Sequence, residues 1–321
     1  MDDALNIVEM GAFHVGGREI AVENMPVRDI DVNARSGRAI RIDPNGTYHA
    51  GQMYCQYFVP ENVRGKCPLQ FWHGGGMTGA TWETTPDGRQ GWLDFFLRKG
   101  WRSFLCDAVE RGRSGWTPLH APFRQEEPVL AAKHYAFERY RIGLDYAAGQ
   151  AFPGGQFPLE SFDAFMMQFV PRWTGTTDAT VDAYIELLRK TGPSAIVAHS
   201  QGATLAFTVM EAVPELVTAL VAVEPYATGS SDMIDRVRRI PVLFVLGDFM
   251  EQHPAWAESK AVALRHAETL CDRGGNATVL DLPALGISGN SHMLMMEKNN
   301  RDIAALVQNW LEKNSLYVAS A

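Results

Sequence analysis

The chain has 321 residues, 46% of them apolar and 21% charged, with a formal net charge of −8 and a pI near 5.6. A chain of this length buries about three quarters of the surface that its unfolded form exposes, so its core needs no disulfide or metal staple. Its charges of both signs are scattered without clusters of Lys and Arg, which excludes the usual footprint of a nucleic-acid or anionic-membrane partner.

The start, Met1-Asp2-Asp3, leads into an apolar segment broken by Glu9, Gly11 and Gly16-Gly17, which lacks the basic opening and apolar run of a secretory signal. No stretch approaches the roughly eighteen apolar residues of a membrane span. The expectation is a cytoplasmic chain with no membrane partner. Cys55, Cys67, Cys106 and Cys271 are far apart and form no CxxC pair, so they read as buried free thiols, with no metal site.

In chain order, Ile7 to Val15, a Gly16-Gly17 turn, Glu19 to Val22, Gly51 to Val59 and Leu69 to His73 read as strands. A helix is expected over Trp92 to Lys99. Short apolar runs follow at Trp101 to Asp107, Ser194 to His199, Leu216 to Glu224, Pro241 to Asp248 and Ala277 to Leu282. They alternate with helical stripes such as Val181, Tyr184, Ile185 and Leu188, capped at Asp178 and stopped by Gly192, and Ile303, Leu306, Val307, Trp310 and Leu311. Such alternation predicts an α/β fold, a mostly parallel central sheet flanked by helices.

From about Trp116 to Thr177 the alternation stops, and aromatic residues, Pro, Gly and Met accumulate. Some sixty residues are too many for a bare loop. The segment reads as an inserted helical cap, residues 116–177, over a core made of residues 1–115 and 178–321, at the sheet edge where open α/β sheets bind ligands. It suggests a largely apolar pocket, with Arg124, Arg139, Arg141 and Arg172 as candidates for binding an anionic substituent.

The strand Ser194 to His199 runs into Ser200-Gln201-Gly202 and then a helix-prone segment, with Ala198 and Gly202 flanking the serine at two residues' distance. Strand, sharp turn with serine, and helix make a nucleophile elbow, although Ala198 stands where Gly is usual. The turn would lift the Ser200 hydroxyl above the sheet and aim the Gln201 N–H at a developing oxyanion. Earlier, Phe71-Trp72-His73-Gly74-Gly75-Gly76 closes a strand with a glycine run that lets N–H groups face a substrate oxygen, and Gly75 is the second candidate donor. The run Gly74 to Gly79 also fits G-x-G-x-x-G, with Asp107 at the end of the next strand, which would make a nicotinamide-dependent oxidoreductase. Against that reading, a polar, turn-rich stretch from Trp82 to Gly91 follows where a helix should open, several strands precede the motif, and the serine elbow is left unexplained.

In this fold the chain order is serine, acid, histidine. His266 lies within the helix-like segment Trp256 to Cys271, whereas His292 follows a strand and the loop Gly286 to Ser291, so His292 is the candidate base. The acid is Asp248, after the strand ending at Gly247, or Glu224, one strand earlier and fixed by Pro225.

The segments His73 to Gly79, Thr81 to Arg89, Arg111-Gly-Arg-Ser114, His199-Ser-Gln201, Leu282 to Gly286 and Gly289-Asn-Ser-His292 together resemble bacterial α/β-hydrolase carboxylesterases that use Glu in place of Asp in the triad. The resemblance implies the α/β-hydrolase fold and assigns the acid to Glu224 and the base to His292, with Asp248 as runner-up. It also implies a homodimer; a member of the family is associated with export, but the opening of this chain keeps the expectation cytoplasmic. In one well-known member of the family the oxyanion loop carries two adjacent cysteines where this chain has Gly75 and Gly76, so any property of that pair does not carry over. The expected activity is cleavage of a small to medium apolar or aromatic ester through an acyl-enzyme, without cofactor. A lactonase, an amidase or a carbon–carbon hydrolase would use the same residues.

Overall fold

The structure, a computed structural model, describes residues 4–32, 37–116 and 127–318. Eight strands form one sheet: β1 (Ile7–Val22), β2 (Gly46–Pro60), β3 (Leu69–Trp72), β4 (Ser103–Asp107), β5 (Ser194–His199), β6 (Val217–Val223), β7 (Val242–Leu246) and β8 (Ala277–Asp281). Their spatial order is β1-β2-β4-β3-β5-β6-β7-β8. Every neighbouring pair from β4 to β8 is parallel, while β2 runs antiparallel to both β1 and β4.

Burial on both faces explains the near-continuous apolar runs of the central strands. All residues of β5 are buried, and alternate ones serve two different cores: Ala195 and Val197 on one face, Ile196 and Ala198 on the other. Helices α1 (Trp92–Arg98) and α8 (Asn300–Lys313) cover the first face. The second carries α4 (Thr177–Thr191), α5 (Gln201–Ala212), α6 (Ile234–Val237) and α7 (Pro254–Asp272).

Two sequence expectations change here. Gly16 and Gly17 make no turn: both take positive φ, 69° and 78°, and β1 continues through them, paired with β2 from Ile7 to Val22. Glycine permits this conformation inside a strand, where it marks an irregularity and not a reversal. The helix expected to be capped at Asp178 begins at Thr177, which places Asp178 in its first turn, where a carboxylate favours the exposed N–H groups.

Between β4 and α4, the described residues form α2 (Lys133–Arg139), a small hairpin of Gly143–Asp145 with Gln150–Ala151, and α3 (Phe162–Met166). The segment is less helical than expected because Pro153-Gly154-Gly155, Pro158 and Pro171 interrupt it. Phe137, Phe157, Phe162 and Phe165 join the same core as Phe71 and Val197 of the sheet. Phe123 and Arg124 lie outside the described residues. Cys55, Cys67 and Cys106 are buried free thiols as expected, but Cys271 is exposed near the end of α7.

Candidate active site

The strand ends define the site. Ser200 follows β5 with φ 53° and ψ −117°, a conformation that residues with a β-carbon rarely adopt. Its N–H donates to the Val223 carbonyl at 2.9 Å, which ties the turn to the end of β6, and α5 begins at the next residue. Gly202 must be small, because a β-carbon there would collide with the His73 carbonyl. The expected strand, turn and helix are therefore all present, with the spacing that the elbow needs.

Glu224 directly follows β6 in a positive-φ conformation (49°) and is fully buried. Its Oε1 accepts from the Gly247 N–H at 2.5 Å, and its Oε2 lies 3.1 Å from His292 Nδ1. The same Oε2 is 2.8 Å from Nη2 of Arg141, an ion pair with almost no solvent access. Arg141 also donates from Nε to the Asp248 carbonyl at 2.8 Å.

His292 is 1% exposed, with its ring 4.2 Å from Trp256, 4.5 Å from His199 and 5.2 Å from Tyr140. Its N–H donates to the Tyr140 carbonyl at 2.9 Å, and its carbonyl lies 3.0 Å from His199 Nε2. Burial pushes its pKa well below the ordinary value, and the positive charges of Arg141 and Arg139 push in the same direction. A neutral imidazole that places Nδ1–H on a carboxylate leaves Nε2 as the basic nitrogen.

The structure thus brings Glu224, not Asp248, to the candidate base. Asp248 holds the backbone: its Oδ2 accepts from the Gly289 N–H at 2.9 Å and its Oδ1 from the Phe249 N–H at 2.8 Å. His266 is buried within α7, as expected, against Phe207 and Phe244.

Gly75 and Gln201, the candidate oxyanion donors, are neighbours: a β-carbon on Gly75 would lie 3.1 Å from Gln201 Oε1. Gln201 is the first residue of α5, so its N–H has no partner within the helix. The Gly74 to Gly79 run opens no long helix; a single 3-10 turn, Gly79–Trp82, follows, and α1 starts ten residues later, at Trp92. The Asp107 carboxylate is occupied within the fold, accepting from the Gly79 N–H at 2.7 Å and pairing with Arg113 Nε at 2.8 Å. Neither feature favours the nicotinamide reading.

Sequence reasoning missed several supports. Glu297, fully buried, accepts from the Ser291 N–H and the Asn290 side chain and so fixes the loop that carries His292; burial raises its pKa to about 7. Trp256 packs on His292 and donates from Nε1 to the Arg139 carbonyl at 2.6 Å. Arg139 and Arg141, for which the sequence left open an exposed, solvated side chain or contact with an anionic substituent, instead pack inside the fold: the first lies over Tyr226 and Trp256, the second on Glu224. No local pattern announces these roles, because each partner comes from a distant part of the chain.

No family model matches the chain. A novel bacterial esterase of known structure superposes with a TM-score of 0.88, is 32% identical, and matches over 98% of each chain. Among curated proteins, the probable secreted lipase phiG of a fungus (Fungal sp. strain ATCC 74256) is 27% identical over 84% of this chain and 88% of its own length. That relative is described as secreted, which overturns the expectation of a cytoplasmic chain. The near-complete match to the bacterial esterase, on a sheet of the same architecture, places the chain in the α/β-hydrolase carboxylesterase family.

Proposed function

We propose that this chain hydrolyses small-molecule carboxylic esters with Ser200 as nucleophile, His292 as general base and Glu224 as the acid that orients it. The observation that carries the reading is the contact of His292 Nδ1 with the buried Glu224 carboxylate at 3.1 Å, beside a serine on a strained strand-to-helix turn. Ser200 Oγ attacks the ester carbonyl as His292 Nε2 takes its proton, and the N–H groups of Gly75 and Gln201 stabilise the oxyanion. His292 then returns the proton to the leaving alcohol. Water, deprotonated by His292, cleaves the acyl-enzyme and regenerates Ser200.

In this reading residues 116–177 form the cap over the site. Tyr140 beside His292 and Phe169 beside Gly76 supply aromatic surface, which suits an apolar or aromatic ester. The homodimer implied by the family resemblance is part of the same proposal, and sedimentation at micromolar concentration tests it.

Ser200→Ala is expected to abolish both turnover and labelling by a fluorophosphonate probe. Glu224→Gln should cost about 10³ to 10⁴ in kcat, whereas Asp248→Asn should cost less than about tenfold. Equal losses at the two carboxylates would contradict the assignment of the acid.

A further inference from the structure

Next to the glycine loop lies a second group of polar side chains that the proposed ester cleavage does not use. A narrow gap of about 20 Å³, lined by His73, Gly74, Val109, Arg111, Tyr184 and Gln201 among others, reaches from the loop towards α4. Arg111 stands just beyond the end of β4 and is 4% exposed, yet among the described residues neither its Nε nor its Nη1 has an acceptor. The hydroxyl of Tyr184, fully buried where its ring stacks on Trp72 at 3.7 Å, has none either. A buried guanidinium is costly unless paired, so donors of this kind facing one gap call for an anion.

A second arginine lies on the neighbouring residue of the glycine loop, beside Gly75, whereas Arg111 and Gly74 line the gap. Arg172 is pinned by paired backbone hydrogen bonds to Val129, at 2.8 and 3.0 Å, and its Nη1 would lie 3.2 Å from a β-carbon on Gly75. Its Nε is also buried without an acceptor among the described residues. The two arginines repel: burial first, and then the charge of Arg172, pulls the pKa of Arg111 down to about 10, outweighing the pull of Glu110. An anion between them would relieve both the repulsion and the missing acceptors.

We propose that Arg111 and Arg172, with the Tyr184 hydroxyl, form an anion subsite that selects esters carrying a carboxylate close to the scissile bond. The gap admits a group of about one water's size, which suits the end of a carboxylate and excludes an aromatic ring. Gly74 and Gln201, which line the gap, flank Ser200 in space and in sequence, so the charge would sit a few bonds from the ester carbon. The location of that ester rests on the proposed role of Ser200; the affinity for the anion does not.

Two matched pairs test this. Monoethyl succinate against ethyl succinamate places the charge on the acyl side, and acetoxyacetic acid against acetoxyacetamide places it on the alcohol side. In at least one pair the carboxylate should be favoured by about tenfold or more in kcat/KM, and Arg111→Met and Arg172→Gln should each bring the ratio to within about threefold of unity. The Arg172 change, at a half-buried side chain, carries the test if the Arg111 variant does not fold. No preference for the carboxylate in either pair, or ratios unchanged in the variants, would overturn the subsite. Titration of Ser200→Ala with the same pairs separates the two proposals. Selective binding of a carboxylate without turnover of any ester by the unsubstituted protein would keep the subsite and sink the hydrolase reading. Turnover of the neutral esters without discrimination would do the reverse.

Discussion

At the scale of single residues, the most informative side chain beyond Ser200, Glu224 and His292 is Arg141. It comes from the segment between β4 and α4, adopts a positive φ of 57°, and places its guanidinium 2.8 Å from the carboxylate oxygen that His292 also contacts. Arg141 is a positioning residue: it offsets the buried charge of Glu224 and disfavours a charged His292. In the proposed mechanism His292 acts as a base only when neutral, and its pKa is depressed, so the acid limb of kcat/KM should fall below pH 6.5, the ordinary imidazole value. Arg141→Met removes one of the depressing charges, so that limb should move to higher pH, with partial return in Arg141→Lys. Leaving Glu224 without its cation should also cost about 3 to 5 kcal/mol of stability, measured by urea unfolding. Lost stability with an unmoved acid limb would limit Arg141 to a packing role.

At the scale of elements, the loop between β8 and α8 shows how His292, the candidate base, is held outside any helix or strand. Asp248 grips the Gly289 N–H at its start, and Glu297 holds Asn290 and Ser291 from its end. Glu297 has a folded-state pKa of about 7 against an ordinary 4.5, so between those values the folded chain keeps a proton that the unfolded chain has released. Stability therefore falls as pH rises from about 4.5 to about 7. Glu297→Gln, which cannot ionise, should flatten this slope in melting temperature against pH; an unchanged slope would show that Glu297 titrates normally. The positions of His292 and Ser200 could be read locally, since each follows an apolar strand at a turn rich in small residues. The choice between Glu224 and Asp248 could not, because both carboxylates lie just past the ends of neighbouring parallel strands, and only the folded chain brings one to the imidazole and the other to the Gly289 N–H.

For the whole molecule, the segment between β4 and α4 shares its core with the sheet: Phe137, Ile142, Phe157 and Phe165 belong to the same cluster as Phe71, Val197 and Val245. With contacts of that kind it should not melt by itself. Calorimetry is expected to give one endotherm with equal calorimetric and van't Hoff enthalpies. Two resolved transitions would mean that the segment is a separate cooperative unit.

Periodicity and turn residues by themselves determined the sheet-and-helix alternation, the elbow at Ser200 and the late loop at His292. These depend on interactions between near neighbours in the chain, in which apolar runs mark buried strands and small residues mark tight turns. Tertiary structure alone decided that Glu224 faces His292 while Asp248 braces its loop, that Arg139 and Arg141 pack beside these residues from within, and that Arg111 lines the gap at Gly74 while Arg172 lies beside Gly75. Residues 68 positions apart, such as Glu224 and His292, are brought together by the order and twist of the parallel strands, and no local pattern in the chain encodes that.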